Sequence, residues 1–176
     1  MRTKANHRKR RCRTDCFVGY CGETAAELFS HRPQGRYDAL VQAFREGVQR
    51  KTVRKGERAL TAEERVVLAV TALEHEVNNG GHDQFFRNSS RKFAPVVVDS
   101  LMRIGHPTEA KITQRAIDAL HLRTLNVRAI NSAMATDSDP RDGKLERCDH
   151  SFYKVQRGTA RRLYTSLKIN RAHINF

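Results

Sequence analysis

The apolar positions of this chain fall mostly on a helical period. Tyr37, Val41, Phe44 and Val48 are spaced four, three and four, with Leu40 beside them, which predicts a helix over about 36–51. Val66, Val70, Leu73 and Val77 repeat the pattern in the next segment. Ahead of them, Thr61-Ala62-Glu63-Glu64 has the form of a capping box, in which the Thr61 hydroxyl accepts from the Glu64 amide while Glu64 reaches back. This second helix is expected to stop at Asn79-Gly80-Gly81, where a left-handed residue is cheap for Gly and tolerable for Asn. A short aromatic segment follows at 84–87. Ser89 or Ser90 is then expected to cap a helix carrying Val97, Val98, Leu101 and Ile104, with Pro95 in its first turns and Gly105 as its stop. Pro107 opens a further helix with Ile112, Ala116, Ala119 and Leu120, and 126–134 reads as another. The segment 136–144, with its Asp, Ser, Pro and Gly, reads as a loop. A last long helix is expected over 151–169, with Phe152, Val155, Thr159, Leu163 and Leu167 on one face. No period-2 strand stands out and no segment repeats. The pattern predicts an all-α fold, a single multi-helix domain.

Composition refines this picture. A length of 176 residues suits one domain with some chain left for a tail. The lack of Trp and the 7% aromatic content predict an aliphatic core. The longest apolar run, 66–70, is far short of the roughly 20 residues that span a bilayer. No apolar stretch follows the basic N-terminus, so no secretory signal is expected, and a soluble, cytoplasmic protein is.

The net charge of +14 is unevenly spread. Residues 1–56 hold 14 Lys and Arg against 5 acids, and residues 57–176 hold 19 against 14. Residues 60–110 are slightly acidic, with 5 against 7. The first 14 residues carry seven positive charges and no acid. Such a block repels itself and buries nothing, which predicts a disordered basic arm; with the mixed stretch behind it, the arm and linker cover 1–34 and the helical domain 35–176. Arg8, Lys9, Arg10, Arg11 and Arg13, with Arg2 and Lys4, can each neutralise a phosphate, which would give salt-sensitive, sequence-independent nucleic-acid binding. No aromatic is interleaved, so base stacking is not suggested. Arg157, Arg161, Arg162 and Lys168 spread over a helix face and read as solvated.

Candidate chemistry is sparse. Cys12, Cys16, Cys21 and His31 offer four zinc-type ligands, but their spacing departs from the two-residue knuckle, and reduced thiols with no metal are expected. Cys148-Asp149-His150 would need an oriented base and a lowered thiol pKa to act as a nucleophile. His75, Glu76 and His82 flank the double Gly and read as ordinary turn residues rather than acid–base catalysts. The double Gly lacks the Gly-Lys-Ser/Thr of a phosphate loop. No catalytic constellation stands out and no cofactor is expected.

The densest sequence feature lies at this same corner, Asn78-Asn79-Gly80-Gly81, followed by Gln84-Phe85-Phe86 and Asn88. Two glycines let the chain reverse, two adjacent Phe side chains point about 100° apart on a helix, and four short-range amides can satisfy backbone groups at helix ends. A mainly structural hinge is expected. The pattern Glu-x-Asn-Asn-Gly-Gly-x-x-Gln-Phe-Phe-x-Asn-Ser resembles the bacterial DNA-mimic protein family. The capped helix over 60–77, the Val98-x-x-Leu101-x-x-Ile104-Gly105 segment, the Ala116-Ile117 helix and the 145–176 region with its Phe152-Tyr153 pair are similar too, so the resemblance covers about 36–176. It implies an all-helical, often dimeric, non-enzymatic domain whose acidic side chains imitate duplex phosphates for a transcription factor. This chain departs from that pattern in charge, and in carrying His82 where family members tend to have an aromatic. The partner-facing acids expected here are Glu63, Glu64, Glu74, Glu76 and Asp83, a local patch on a basic chain.

Overall fold

Helix α3, Ala62–Arg87, is the central element of the molecule, in contact with four other helices. The structure is a computed structural model that describes residues 19–176. The basic residues 1–18, and with them the expected disordered arm and the Cys12 and Cys16 thiols, lie outside the described residues. In chain order the helices are α1 (Ala25–Ser30), α2 (Tyr37–Lys55), α3, α4 (Ala94–Arg103), α5 (Pro107–Asp118), α6 (Val127–Met134), α7 (Asp139–Val155) and α8 (Thr159–Ile169). Short 3-10 turns lie at Glu57–Ala59, Ser89–Phe93 and Arg171–His173. No strand occurs among the described residues, and the fold is all-α. Around α3 sit α2, α4, α6, α7 and the Ser89–Phe93 turn; α8 closes on α2, and α5 bridges α4 and α7.

The capping box of α3 forms as expected: the Glu64 amide donates to the Thr61 hydroxyl at 3.1 Å and the Thr61 amide to the Glu64 carboxylate at 2.9 Å. The α4 stop at Gly105 is also as expected. Gly105, at φ 75°, sends its amide to Met102, and His106 sends its amide to Leu101, which together make a Schellman closure.

Four expectations differ from the structure. The stretch before Pro33 contains α1, which carries a second capping box, Thr24 with Glu27, and buries Leu28 completely. Neither Ser89 nor Ser90 caps a helix; both lie in a 3-10 turn, and the Ser90 hydroxyl goes to Glu76 instead. The segment 136–144 is a loop only as far as Ser138. Pro140 then sits in the first turn of α7 and Asp139 and Asp142 favour its N-terminus, so apparent loop residues are helix-start residues. The single helix over 151–169 is two, because Gly158 adopts the left-handed region at φ 95° between α7 and α8. The core is largely aliphatic, as expected, although its largest fully buried side chains are Phe44, Phe85, Phe86 and Phe152.

The C-terminal residues are part of this core. The Phe176 ring lies edge-on to Phe44 and over Gly47, where a Cβ would run into it. Ile174 is buried beside them.

Candidate functional site

The corner at the end of α3 combines backbone geometry with a closed hydrogen-bond set. Gly80 and Gly81 leave helical geometry and kink α3, and Gly81 takes φ 73°. The helix resumes after them, so the expected stop is a kink followed by one and a half further turns. A Cβ on Gly81 would lie 2.9 Å from Cγ of Asp149 on α7. Asp149 instead accepts from the His82 amide at 2.9 Å and stands 2.5 Å from His82 Nδ1. The His82 ring is fully buried and packs against Phe152 and Phe86, at 5.6 and 6.5 Å between centroids. Its Nε2 has no partner among the described residues. Tyr153 Oη donates to the Val77 carbonyl at 2.8 Å, tying α7 to α3 just before the kink.

Glu76 is the hub of the corner. It is buried and accepts from Gln84 Nε2 at 2.7 Å, Asn88 Nδ2 at 2.8 Å and Ser90 Oγ at 2.7 Å. Burial by itself would raise its pKa, but the hydrogen bonds from Ser90, Gln84 and Asn88, with the nearby His75, outweigh burial and hold it below the usual carboxylate range. Gln84, Asn88, Phe85 and Phe86 are thus used by the fold. Asn78 and Asn79 differ: both are exposed, and Asn79 Nδ2 only approaches the His75 ring at 3.4 Å.

The expected acidic patch is largely consumed internally. Glu64 is fully buried and bound by Lys51 Nζ at 2.9 and 2.8 Å and by the Asn175 amide at 3.0 Å. Glu76 is enclosed as described. Burial takes both out of any surface patch. Glu63 pairs with Arg103 at 2.8 Å, and Asp83 pairs with Arg87 at 2.8 Å. Glu63 and Asp83 lie near opposite ends of α3, on either side of its kink. Glu74 is partly buried, and its pKa is pushed up to about 8 by burial and by the charges of Glu109 and Asp38, against a hydrogen bond from Thr159.

Glu74 belongs to a buried polar cluster that sequence spacing gave no reason to assemble. Glu109 on α5 is fully buried, accepts from Thr159 Oγ1 at 2.8 Å and lies 3.2 Å from His106 Nε2. Burial pushes its pKa up to about 7, against the Thr159 hydrogen bond and Arg162. Burial first, and Arg162 second, push His106 down. Two carboxyls, an imidazole and a hydroxyl therefore meet where α3, α5 and α8 converge. The one legible signal was local: Pro107-Thr108-Glu109 places an acid in the first turn of α5.

Two adjoining hollows on the α2–α3 face share Arg45, Thr71 and His75. One, of about 280 Å³, is lined also by Asp38, Gln42, Glu74, Asn78 and Asn79; the other, of about 460 Å³, by Val53, Ser89, Ser90, Lys92 and Phe93 among others. Arg45 Nε is buried there without a partner among the described residues.

Cys148 is not set up as a nucleophile. Cys148 is buried and burial pushes its pKa up, opposite to what a nucleophile needs, and His150 faces away to bond the Glu146 carbonyl at 2.9 Å. Among the described residues no group of three or more His, Cys, Asp or Glu is placed to hold a metal, and no helix is long and apolar enough to cross a membrane.

A kinked central helix closed by a Gly-Gly corner, with helices on all sides, defines an all-helical domain built around a clamped carboxylate. The family model for DMP19-like protein matches residues 58–170, and the chain belongs to that family of DNA-mimic-type proteins. Searches among curated proteins and among solved structures give no match.

Proposed function

We propose that this chain is a non-enzymatic interaction domain whose partner is a DNA-binding protein. Membership of the DMP19-like family carries this reading. The corner contributes a second argument. The fold uses Gly80, Gly81, Gln84, Phe85, Phe86 and Asn88 for its own closure, which leaves Asn78 and Asn79 exposed beside the hollows of the α2–α3 face. Amide pairs in such a position offer donors and acceptors to a partner without the charge that a basic surface would otherwise have to neutralise. The carboxylates near that face are Asp38 and Glu57, the latter holding Lys92, with Glu63 and Asp83 further along α3, each already holding an arginine; Glu74, its pKa pushed up to about 8, adds no full negative charge at neutral pH. Partner contact through shape and amides, supplemented by a few acids, fits a chain of net charge +14 better than a full phosphate imitation does.

Affinity capture with mass spectrometry at low and high salt tests this. The expected result is a captured DNA-binding protein that duplex DNA displaces and that the Asn78→Arg/Asn79→Arg chain no longer retains. Retention unchanged by those substitutions, together with indifference to Glu63→Lys, Glu74→Lys and Asp83→Lys, would remove the α3 face from the reading. The seven positive charges in residues 1–14 support a second reading, direct and sequence-independent nucleic-acid binding by the arm. It predicts a gel shift that weakens steeply with salt and disappears when residues 1–14 are deleted.

A further inference from the structure

The positive charge of the folded body is concentrated at one place. Residues 150–176 hold six Lys and Arg and no acid, whereas residues 57–149 hold 13 against 14. The fold gathers part of this excess in a groove of about 710 Å³ between the end of α4 and one face of α8, lined by Arg103, Arg157, Arg161 and Arg162 with Gly105, Gly158, Thr165, Ser166 and Asn170. Among the described residues no carboxylate lines it. The arginines are not equivalent. Arg103 is held at one edge by Glu63 at 2.8 Å, and Arg162 is fixed against the wall by donating from Nη1 to the Gly105 carbonyl at 2.6 Å. Arg157 and Arg161 are exposed and pair with no carboxylate among the described residues.

We propose that this groove binds the phosphodiester backbone of duplex nucleic acid, independently of the N-terminal arm. Its chemistry selects that occupant. All four cations are arginines, whose planar forks match phosphate oxygens two at a time. The remaining polar lining is Ser, Thr, Asn and Gly, the set that contacts sugar–phosphate backbones. Among the described residues no aromatic lines the groove, so unstacked bases of a single strand find no platform there. Among the described lining residues only Ile104 and Ile169 carry apolar side chains, too little to anchor a protein partner through a buried hot spot. Binding of this kind carries no sequence information and is dominated by counterion release.

The test uses the full chain and a short labelled duplex, read by fluorescence anisotropy over a salt series. In one background the arm is neutralised by Arg2→Gln, Lys4→Gln, Arg8→Gln, Lys9→Gln, Arg10→Gln, Arg11→Gln and Arg13→Gln; in the other it is intact. The arm-neutralised chain is expected to retain salt-dependent binding. Adding Arg157→Gln/Arg161→Gln is expected to weaken it roughly 10- to 100-fold at about 0.1 M salt and to reduce the slope of log K against log salt by about 2. Arg157→Lys/Arg161→Lys, which keeps the charge, is expected to keep most of the slope. Both positions are exposed, and a thermal melt matching the parent shows that folding is intact. Ile169→Glu, at a residue 77% exposed on the groove rim, gives a second and independent perturbation that is expected to weaken binding. Anisotropy curves unchanged by Arg157→Gln/Arg161→Gln and by Ile169→Glu in both backgrounds would overturn the proposal. So would polyglutamate of equal charge competing as well as unlabelled duplex, which would mark the groove as a site for acidic protein.

Discussion

Asp149 and Gly81 occupy complementary space: the carboxylate that holds His82 sits where a side chain on residue 81 would have to go. Two separate effects therefore oppose Gly81→Ala. The backbone there is left-handed at φ 73°, and the new Cβ would displace Asp149 from the His82 amide and ring. We expect a loss of about 2–4 kcal/mol, the sum of local strain and a disturbed buried hydrogen-bond set. Gly56, at φ 81° with open space around it, is the control; Gly56→Ala carries the strain alone and is expected to cost about 1 kcal/mol. Urea unfolding of the two variants side by side checks the difference, and equal losses would mean that the approach of Asp149 is immaterial.

A second prediction concerns Lys51 and Glu64, a fully enclosed ion pair at 2.8 Å that also receives the Asn175 amide. Removing one charge strands the other in a low-dielectric site, so Lys51→Met is expected to cost about 3–5 kcal/mol. Lys51→Met/Glu64→Gln removes both charges and is expected to be more stable than Lys51→Met alone. A double-mutant cycle by chemical denaturation reads this directly. If the double variant were the less stable of the two, the stranded charge would not be the cause.

The Glu74–Glu109–His106 cluster sets a pH dependence whose sign can be worked out. Both carboxyls have folded pKa values above the ordinary 4.5, at about 8 and about 7. The folded state then holds more protons than the unfolded chain above pH 4.5, so the stability they contribute is lost as pH rises through 7 and 8. His106 is depressed below its ordinary 6.5 and works the other way, but its contribution is lost only as pH falls below that value. Between about pH 6.5 and 9 the carboxyls act alone, and the urea midpoint is expected to fall. Glu109→Gln should flatten the lower part of that fall and Glu74→Gln the upper part. A midpoint that stays level or rises over this window would rule out two protonated carboxyls in the fold.

What the sequence disclosed depended on how local the signal was. The capping box at Thr61 and Glu64, the stop at Gly105 and the start at Pro107 are set within a few residues and were legible. The split at Gly158 was hidden because Phe152, Val155, Thr159 and Leu163 continue a helical period across a left-handed residue. The start of α7 was hidden because Asp139-Pro140 suits a loop and a first helical turn equally. The acids were misplaced for a different reason. Sequence places Glu64 and Glu76 near the surface acids Glu63 and Asp83, but only the fold brings Lys51, Asn175, Asn88 and Ser90 against them. Non-local partners decide burial, and a single sequence carries little trace of them.

The last prediction isolates what Glu76 does at the corner. Three donors, from Gln84, Asn88 and Ser90, converge on its two oxygens, and they hold its pKa below the usual range. Glu76→Gln keeps the shape but replaces one acceptor oxygen by an amide that faces donors, leaving buried groups unmatched. At neutral pH this is expected to cost about 1–3 kcal/mol. A carboxylate with a lowered folded pKa contributes stability that is present above its ordinary 4.5 and is lost as pH falls through the folded value. The parent thus becomes more like Glu76→Gln as it is acidified. Urea midpoints of the two chains should differ most near pH 7 and converge below pH 4.5. A gap that persists unchanged at low pH would mean that side-chain packing, and not the negative charge, is what the corner requires of residue 76.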